Sequence, residues 1–424
     1  MKNQQYVTNS NLLALKESFV SQTGFLFIAT LVGYVFGYLY LIFMGRALSP
    51  EDFGIFGALT AIFYIACLVG QSLRQAIATR VAEIKAKAGE SAAVGTYVKL
   101  GAKLCLLCLL PALFFIFGSR NIASFFHLSS TSSIIVLGLS LSTALILEII
   151  MGLLQGLQNF SGLGISGYIV SQGLKFLLGI TFVWVGWDLL GAVGALLAST
   201  TIAIAAGLIL IRKPLANCIN KEIKYSSKLY PIVIPTLILA VFIAMPTSID
   251  VMLVTHFFSA TKAGIYNATA ILGKVIIFLP IAVSLVLLPK ATENQALGLN
   301  SNNILRKSLL LASLLSGILV LAYWVFPGII IKVFFGEAYF EATNLVGWYG
   351  IAMFLFSLNF VLINYSLAIR NLKLMVLADL ITLTEVVAIL LIHQSLTQII
   401  LILLFGNLLV LLLISWSLAA SKKL

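Results

Sequence analysis

The sequence predicts an all-α integral membrane protein in which about twelve transmembrane helices form two parallel-repeat six-helix lobes around a central cleft. Three observations predict it. The 424 residues are 61% hydrophobic and only 9% charged, with a mean hydropathy of +1.10, far from the composition of soluble domains. Apolar runs of about twenty residues, the length that crosses roughly 30 Å of hydrocarbon at about 1.5 Å per residue, recur along the whole chain. Sliding the sequence against itself by 210 residues sets similar loop chemistry at both ends of a helix pair.

The first span, 22–44, is too long for a signal-peptide core and lacks a small-x-small cleavage site behind it, so it stays as a helix. The stretch GRALSPEDFG, Gly45 to Gly54, then interrupts the apolar pattern. Gly45 reads as a helix stop, Ser49 as the next N-cap, and Pro50 as a first helical residue. Glu51 and Asp52 complement the positive end of that helix dipole. Spans 54–73, 100–118 and 132–154 follow, the last with Glu148; 164–186 carries Lys175, and 189–211 completes the first six. Span 230–256 holds Pro231, Pro235, Pro246 and Asp250. Pro246 deprives the Phe242 carbonyl of its helical donor, which makes it a candidate hinge. Spans 264–289, with Lys274, 308–331 and 343–368 come next; 372–393 holds Asp379 and Glu385, and 396–418 ends the series. The ten-residue alternating strands of a membrane barrel are absent.

The repeat sets Ser49, Gly54, Ile55 and Ala58 on Ser259, Gly264, Ile265 and Ala268, and RVAE at Arg80 to Glu83 on KATE at Lys290 to Glu293. Six helices, an even number, separate the copies, so the halves share one orientation about an axis along the membrane normal. The expected divisions are a lobe over 1–211, a basic linker over 212–229 and a second lobe over 230–424. Two parallel lobes around a cleft suggest a transporter.

Charge sets the orientation. With the N-terminus inside, the cytoplasmic segments collect the basic residues, among them Arg74, Arg80, Lys85, Lys87, Arg212 and Lys224. Arg46, Arg120, Lys262 and Lys332 fall outside, and Lys175 and Lys274 within helices. Both termini are therefore expected in the cytoplasm, and the net charge of +12 points to membrane lipids rather than nucleic acid. Cys105 and Cys108 have CxxC spacing without a second pair, and His127, His256 and His393 stand singly near outer ends, so no metal site or cofactor is expected.

GRALSPEDFGIFGAL at Gly45 to Leu59, LLQGLQNF at Leu153 to Phe160 and FFGEAYFEATNLVGWYGIA at Phe334 to Ala352 resemble the polysaccharide-biosynthesis flippases of the multidrug/oligosaccharidyl-lipid/polysaccharide exporter superfamily. The resemblance covers essentially the whole chain. It implies transfer of a lipid-linked oligosaccharide to the outer leaflet of a bacterial-type cytoplasmic (inner) membrane, with polymerase or glycosyltransferase partners.

A charge at mid-membrane costs roughly 2.5–3.5 kcal/mol on insertion scales, so intramembrane charges face a cavity or a partner. Glu148, Lys175, Asp250, Lys274, Asp379 and Glu385 qualify. Asp250 with Lys274, and Glu148 with Lys175, are candidate ion pairs; the alternative has Lys274 and Lys175 facing an anionic headgroup in the cleft. Asp379 and Glu385 have no evident basic partner and suit coupling to H+ or Na+. A cation-coupled multidrug exporter of the same superfamily is the rival function. A polytopic glycan polymerase or ligase, an enzyme, ranks last because the outer loops are short. Cysteines placed at Lys87 and Lys224 should resist an impermeant thiol reagent in intact cells, while those at Lys262 and Phe340 react; inverted labelling overturns the topology.

Overall fold

The computed structural model describes residues 9–128, 130–216, 229–297, 302–369 and 371–420; of the expected linker, residues 217–228 lie outside that set. In the first half, α1 (Asn9–Ala47) and α2 (Pro50–Ala88) precede α3 (Glu90–Leu107), α4 (Leu110–Phe117) and α5 (Ser119–Phe125). Then come α6 (Ser132–Gly156), the short α7 (Phe160–Leu163), α8 (Ser171–Phe182) and α9 (Asp188–Ala216). The second half holds α10 (Tyr230–Ala244), α11 (Asp250–Phe257), α12 (Ala260–Ala296), α13 (Asn302–Val325), α14 (Pro327–Phe334), α15 (Thr343–Ala368), α16 (Leu372–Leu391) and α17 (Leu396–Ala420).

Ten helical stretches among the described residues are long and apolar enough to cross a bilayer. One of them, the 53-residue Phe160–Arg212, breaks where Gly186 has φ 90° and Asp188 φ 39°, and α8 packs beside α9. The stretch therefore supplies two passes. With α12, which packs against α2, α13 and α15, the described residues account for the twelve spans expected. Its outer surface exposes Leu106, Phe117, Ile318 and Trp416, side chains that a lipid environment accommodates at no cost.

The start of α2 folds as its residues dictate. Ser49 Oγ accepts from the amide of Asp52 at 3.1 Å, and Pro50 takes the first turn. Gly45 departs from expectation: α1 runs on to Ala47, and Gly45 is absent from the positive-φ residues. Its missing side chain instead lets the ring of Phe335, from the other lobe, lie against α1.

The repeat becomes a contact. Thr261 donates to Glu51 at 2.6 Å. A Cβ on Gly54 would stand 2.7 Å from the amide nitrogen of Gly264, and one on Gly264 would fall on the Pro50 carbonyl. The side chain of Asn267 fills the place of a Cβ on Gly57 and donates to the Phe53 carbonyl at 2.9 Å. Residues 51 and 261, 54 and 264, and 57 and 267 are each 210 apart. Contact between equivalent positions is the signature of a two-fold axis, so α2 and α12 cross on the pseudo-axis that relates the lobes.

The junction of α10 and α11 bears the mark of its proline. A π-helical segment, Met245–Ile249, separates α10 from α11 and contains buried Pro246, as expected where a proline removes a helical donor. Gly264→Ala should cost about 1–3 kcal/mol by overpacking, read as a lower melting temperature in detergent. Gly173→Ala, whose Cβ would meet Phe36 at an ordinary 3.8 Å, should stay within about 0.5 kcal/mol; equal losses would refute the close crossing.

Candidate functional site

Lys175, on α8, is 4% exposed. Its Nζ donates to Gln172 Oε1, one turn back, and stands 5.2 Å from the centroid of Tyr40 on α1, a cation–π distance. The Tyr40 hydroxyl is tied to the Ala192 carbonyl at 2.6 Å, which holds the ring in place. Lys175 therefore leans on α1 and does not meet Glu148.

Glu148 pairs with Arg74 instead, Nε to Oε2 at 3.3 Å, with the side chains 17% and 15% exposed. Arg74, which the sequence groups with the cytoplasmic segments, lies within the 39-residue α2, which carries it along the flank of α6. Tyr168 and Tyr34 lie within electrostatic reach of Arg74, and Cys67 within reach of Glu148, Lys175 and Arg74. One polar patch on the first lobe gathers them all.

The α12 residues on either side of Lys274 meet α1. Residues 271, 274 and 278 share one face of α12 by helical spacing. On that face, the Ile271 carbonyl accepts from the Tyr38 hydroxyl. The Phe278 ring lies 5.8 Å from both Tyr34 and Tyr38. The middle of α1 thus meets Lys175 through Gly37 and Tyr40 and meets Ile271 and Phe278 of α12 through Tyr38 and Tyr34. Tyr34 and Tyr38 are packed at this seam.

Asp250, 1% exposed, begins α11. Its Oδ2 accepts from the hydroxyls of Tyr266 and Tyr349, both at 2.9 Å, and its Oδ1 has no partner among the described residues. Lys274 is within electrostatic reach but forms no ion pair with it. The reason is height. Because α12 starts at Ala260, Lys274 lies about 21 Å from that end, whereas Tyr266 lies about 9 Å and Asp250 about 10 Å from the same end of the bundle.

Glu385, on α16, is 3% exposed, and both of its carboxyl oxygens lack partners among the described residues, as does Oδ1 of Asp379. Glu385 abuts Gly406 on α17, lies within electrostatic reach of Asp250 and lines a groove of about 440 Å³ with Gln398 and Phe405. Nearby in sequence, Asn407 of α17 accepts from Asn359 Nδ2 through its backbone carbonyl at 2.8 Å, leaving Asn359 Oδ1 unpartnered. Buried oxygens without donors suit a proton or a small hard cation. Among the described residues no three His, Cys, Asp or Glu side chains are grouped to hold a metal ion.

One residue that sequence reasoning treated as a mere loop charge is Arg46. Its guanidinium donates to the Phe334 carbonyl at 3.0 Å and the Val333 carbonyl at 2.5 Å, capping the carbonyl end of α14 from across the seam. Its rarity, an arginine among few outer charges, was the available signal.

A family model described as polysaccharide biosynthesis protein matches residues 19–295. No curated protein sequence matches the chain at a significant level. Among solved structures, an inward-facing multidrug resistance MATE family transporter of the MOP superfamily is similar with a TM-score of 0.77 at 13% identity, over 92% of this chain and 96% of that one. The lipid II flippase MurJ in an inward closed conformation gives 0.72 at 14% identity, over 93% and 87%. An outward-facing MATE family transporter gives 0.61 at 16% identity, over 95% and 96%. At such identities the likeness concerns the fold.

Removing either partner of the Arg74–Glu148 pair should destabilise the protein by about 1–3 kcal/mol, since the survivor keeps a half-desolvated charge. The exchange Arg74→Glu with Glu148→Arg should recover most of the loss. Adding Lys175→Ala to Glu148→Ala should not; recovery there would restore the Glu148–Lys175 pairing.

Proposed function

We propose, because this chain belongs to the polysaccharide biosynthesis protein family, that it is a flippase moving a polyprenyl-diphosphate-linked oligosaccharide from the cytoplasmic to the outer leaflet. The chain is a multi-pass membrane protein with the fold of transporters. Both termini lie in the cytoplasm in this reading, and the end of the bundle that holds Ser49 and Ser259 faces outward. The membrane is a bacterial-type cytoplasmic one.

The observation that supports the reading is the pair of lysines within the spans, Lys175 beside α1 and Lys274 without a bonded partner among the described residues. A diphosphate in a cavity poor in water needs cations, and a charge-assisted bond to phosphate is about twice as strong as a neutral one. Lys175 is held loosely by one amide oxygen and one ring. Arg74 adds a third cation, already matched by Glu148. The lipid tail stays in the bilayer, since each buried CH₂ is worth about 0.8 kcal/mol, and only the head passes between the lobes.

In this reading the outer end is closed in the conformation described, through Arg46, Thr261 and Asn267, and transport rocks the lobes about the α2–α12 crossing. The unpartnered oxygens of Asp250, Glu385 and Asp379 support coupling to H+ or Na+, with no cofactor or enzymatic step. The rival, a cation-coupled multidrug exporter, draws on the same carboxyls.

Lys274→Ala should abolish transport at near-normal membrane levels, and Lys274→Arg should keep part of it. Adding Asp250→Ala should give no rescue, because no bond joins the two; rescue would sink the binding role. Deleting the gene should leave lipid-linked glycan on the cytoplasmic leaflet with loss of surface polysaccharide. Unchanged glycan distribution with new sensitivity to cationic drugs would decide for the exporter.

A further inference from the structure

The chain has three histidines, which look isolated in the sequence, and the fold brings all three to one seam. His256, at the end of α11, lies flat on Phe125, the last residue of α5 in the other lobe, with centroids 3.8 Å apart and planes within 3°. His127, two residues beyond Phe125, stands 6.1 Å from His256 with planes 28° apart. Phe257 carries the stack onward to His393 at 3.8 Å, so a phenyl ring separates His393 from His256.

Two features of this cluster go beyond packing. The His256 Nδ1 lies 2.9 Å from the Phe125 carbonyl. A carbonyl only accepts, so Nδ1 carries the proton and Nε2 of the neutral ring keeps its lone pair. That is the outer-shell arrangement by which metal-ligating histidines are oriented. His127 has φ 56°, in the left-handed region that a non-glycine residue occupies at a cost and that clusters at functional sites. It is exposed, and its ring is free to turn.

We propose that His127 and His256 form a two-histidine site for a divalent transition metal of the Zn2+ class, clamping the two lobes together at this end. The distance permits it. An imidazole nitrogen binds zinc at about 2.0–2.1 Å, which puts the ring centroid roughly 3.2 Å from the ion, so two rings on one ion stand at most about 6.4 Å apart. The 6.1 Å separation falls inside that limit; the rings lie nearly parallel, so the exposed His127 ring must turn to bring its in-plane lone pair onto the ion. Imidazole selects Zn2+, Ni2+ and Cu2+ over Mg2+ and Ca2+. Among the described residues no third His, Cys, Asp or Glu joins the pair, so water fills the remaining positions and binding is reversible. Because one ligand comes from each lobe, the metal favours the conformation in which this end is closed.

The test uses Zn2+ alone on the full-length protein in detergent and so does not depend on the flippase reading. Zn2+ at about 100-fold above its Kd should raise the melting temperature by about 3 °C for a chain of this size. A chelator should reverse the shift, and Mg2+ should not reproduce it. His127→Asn, which tolerates the left-handed backbone, and His256→Ala should each abolish the shift, while His393→Ala should keep it. If His256→Ala fails to fold, His127→Asn decides alone, since its side chain is exposed. An equal shift in His127→Asn, or none in the unmodified protein, would overturn the site.

Discussion

The crossing of α2 and α12 is the constraint on which the molecule depends. At Gly54 and Gly264 the two backbones come so close that neither position has room for a Cβ, and the two positions are equivalents in the repeat. A close approach of equivalent glycines can occur only on the axis that relates the lobes. From it follow the bond between Glu51 and Thr261, the insertion of Asn267 beside Gly57 and the packing of α10 and α11 against α2. The crossing sits at one end of both helices, so the lobes are joined there by apolar rings as well: Phe53 meets Phe335 and Tyr339 of the other lobe at 5.8 and 5.6 Å.

With the crossing set, each buried charge finds a different settlement. Glu148 has a cation beside it. Asp250 has none in bonding range and is held by two tyrosine hydroxyls, a neutral pair of donors that satisfies one oxygen and leaves the other open. Lys175 has one amide oxygen and an aromatic face. Lys274 and Glu385 have no bonds at all among the described residues. Desolvating a charge without a partner is expensive, so these unsettled groups mark where an ion, a proton or an anionic head completes the structure.

The stretch from Gly45 to Gly54 serves two levels at once. Locally it starts α2 with a serine cap and a proline, as any helix start of that composition would. Because the pseudo-axis passes through the first turns of α2, the same residues also face the other lobe. Arg46 covers the exposed carbonyls and negative dipole end of α14, and Gly45 makes room for the ring of Phe335. A loop that reads as punctuation is therefore also the fastening of the bundle.

The sequence by itself determined a helical membrane fold of about twelve spans, the helix start at Ser49 and a distortion of the helix at Pro246. These depend on hydrophobic length, capping and ring chemistry, all of which act within a few neighbouring residues. It also held the repeat, in Ser49 and Ser259 and in Gly54 and Gly264. Partnership was decided elsewhere. Lys175 and Glu148 lie on consecutive helices yet settle with Tyr40 and Arg74, and Asp250 settles with Tyr266 rather than Lys274, because pairing depends on the height and face that each helix presents to its neighbours. The three histidines meet only because α5, α11 and the turn after α16 end at one seam. Heights and faces are set by where α12 begins and by the angle at which it crosses α2, and those are properties of packed helices, not of any one of them.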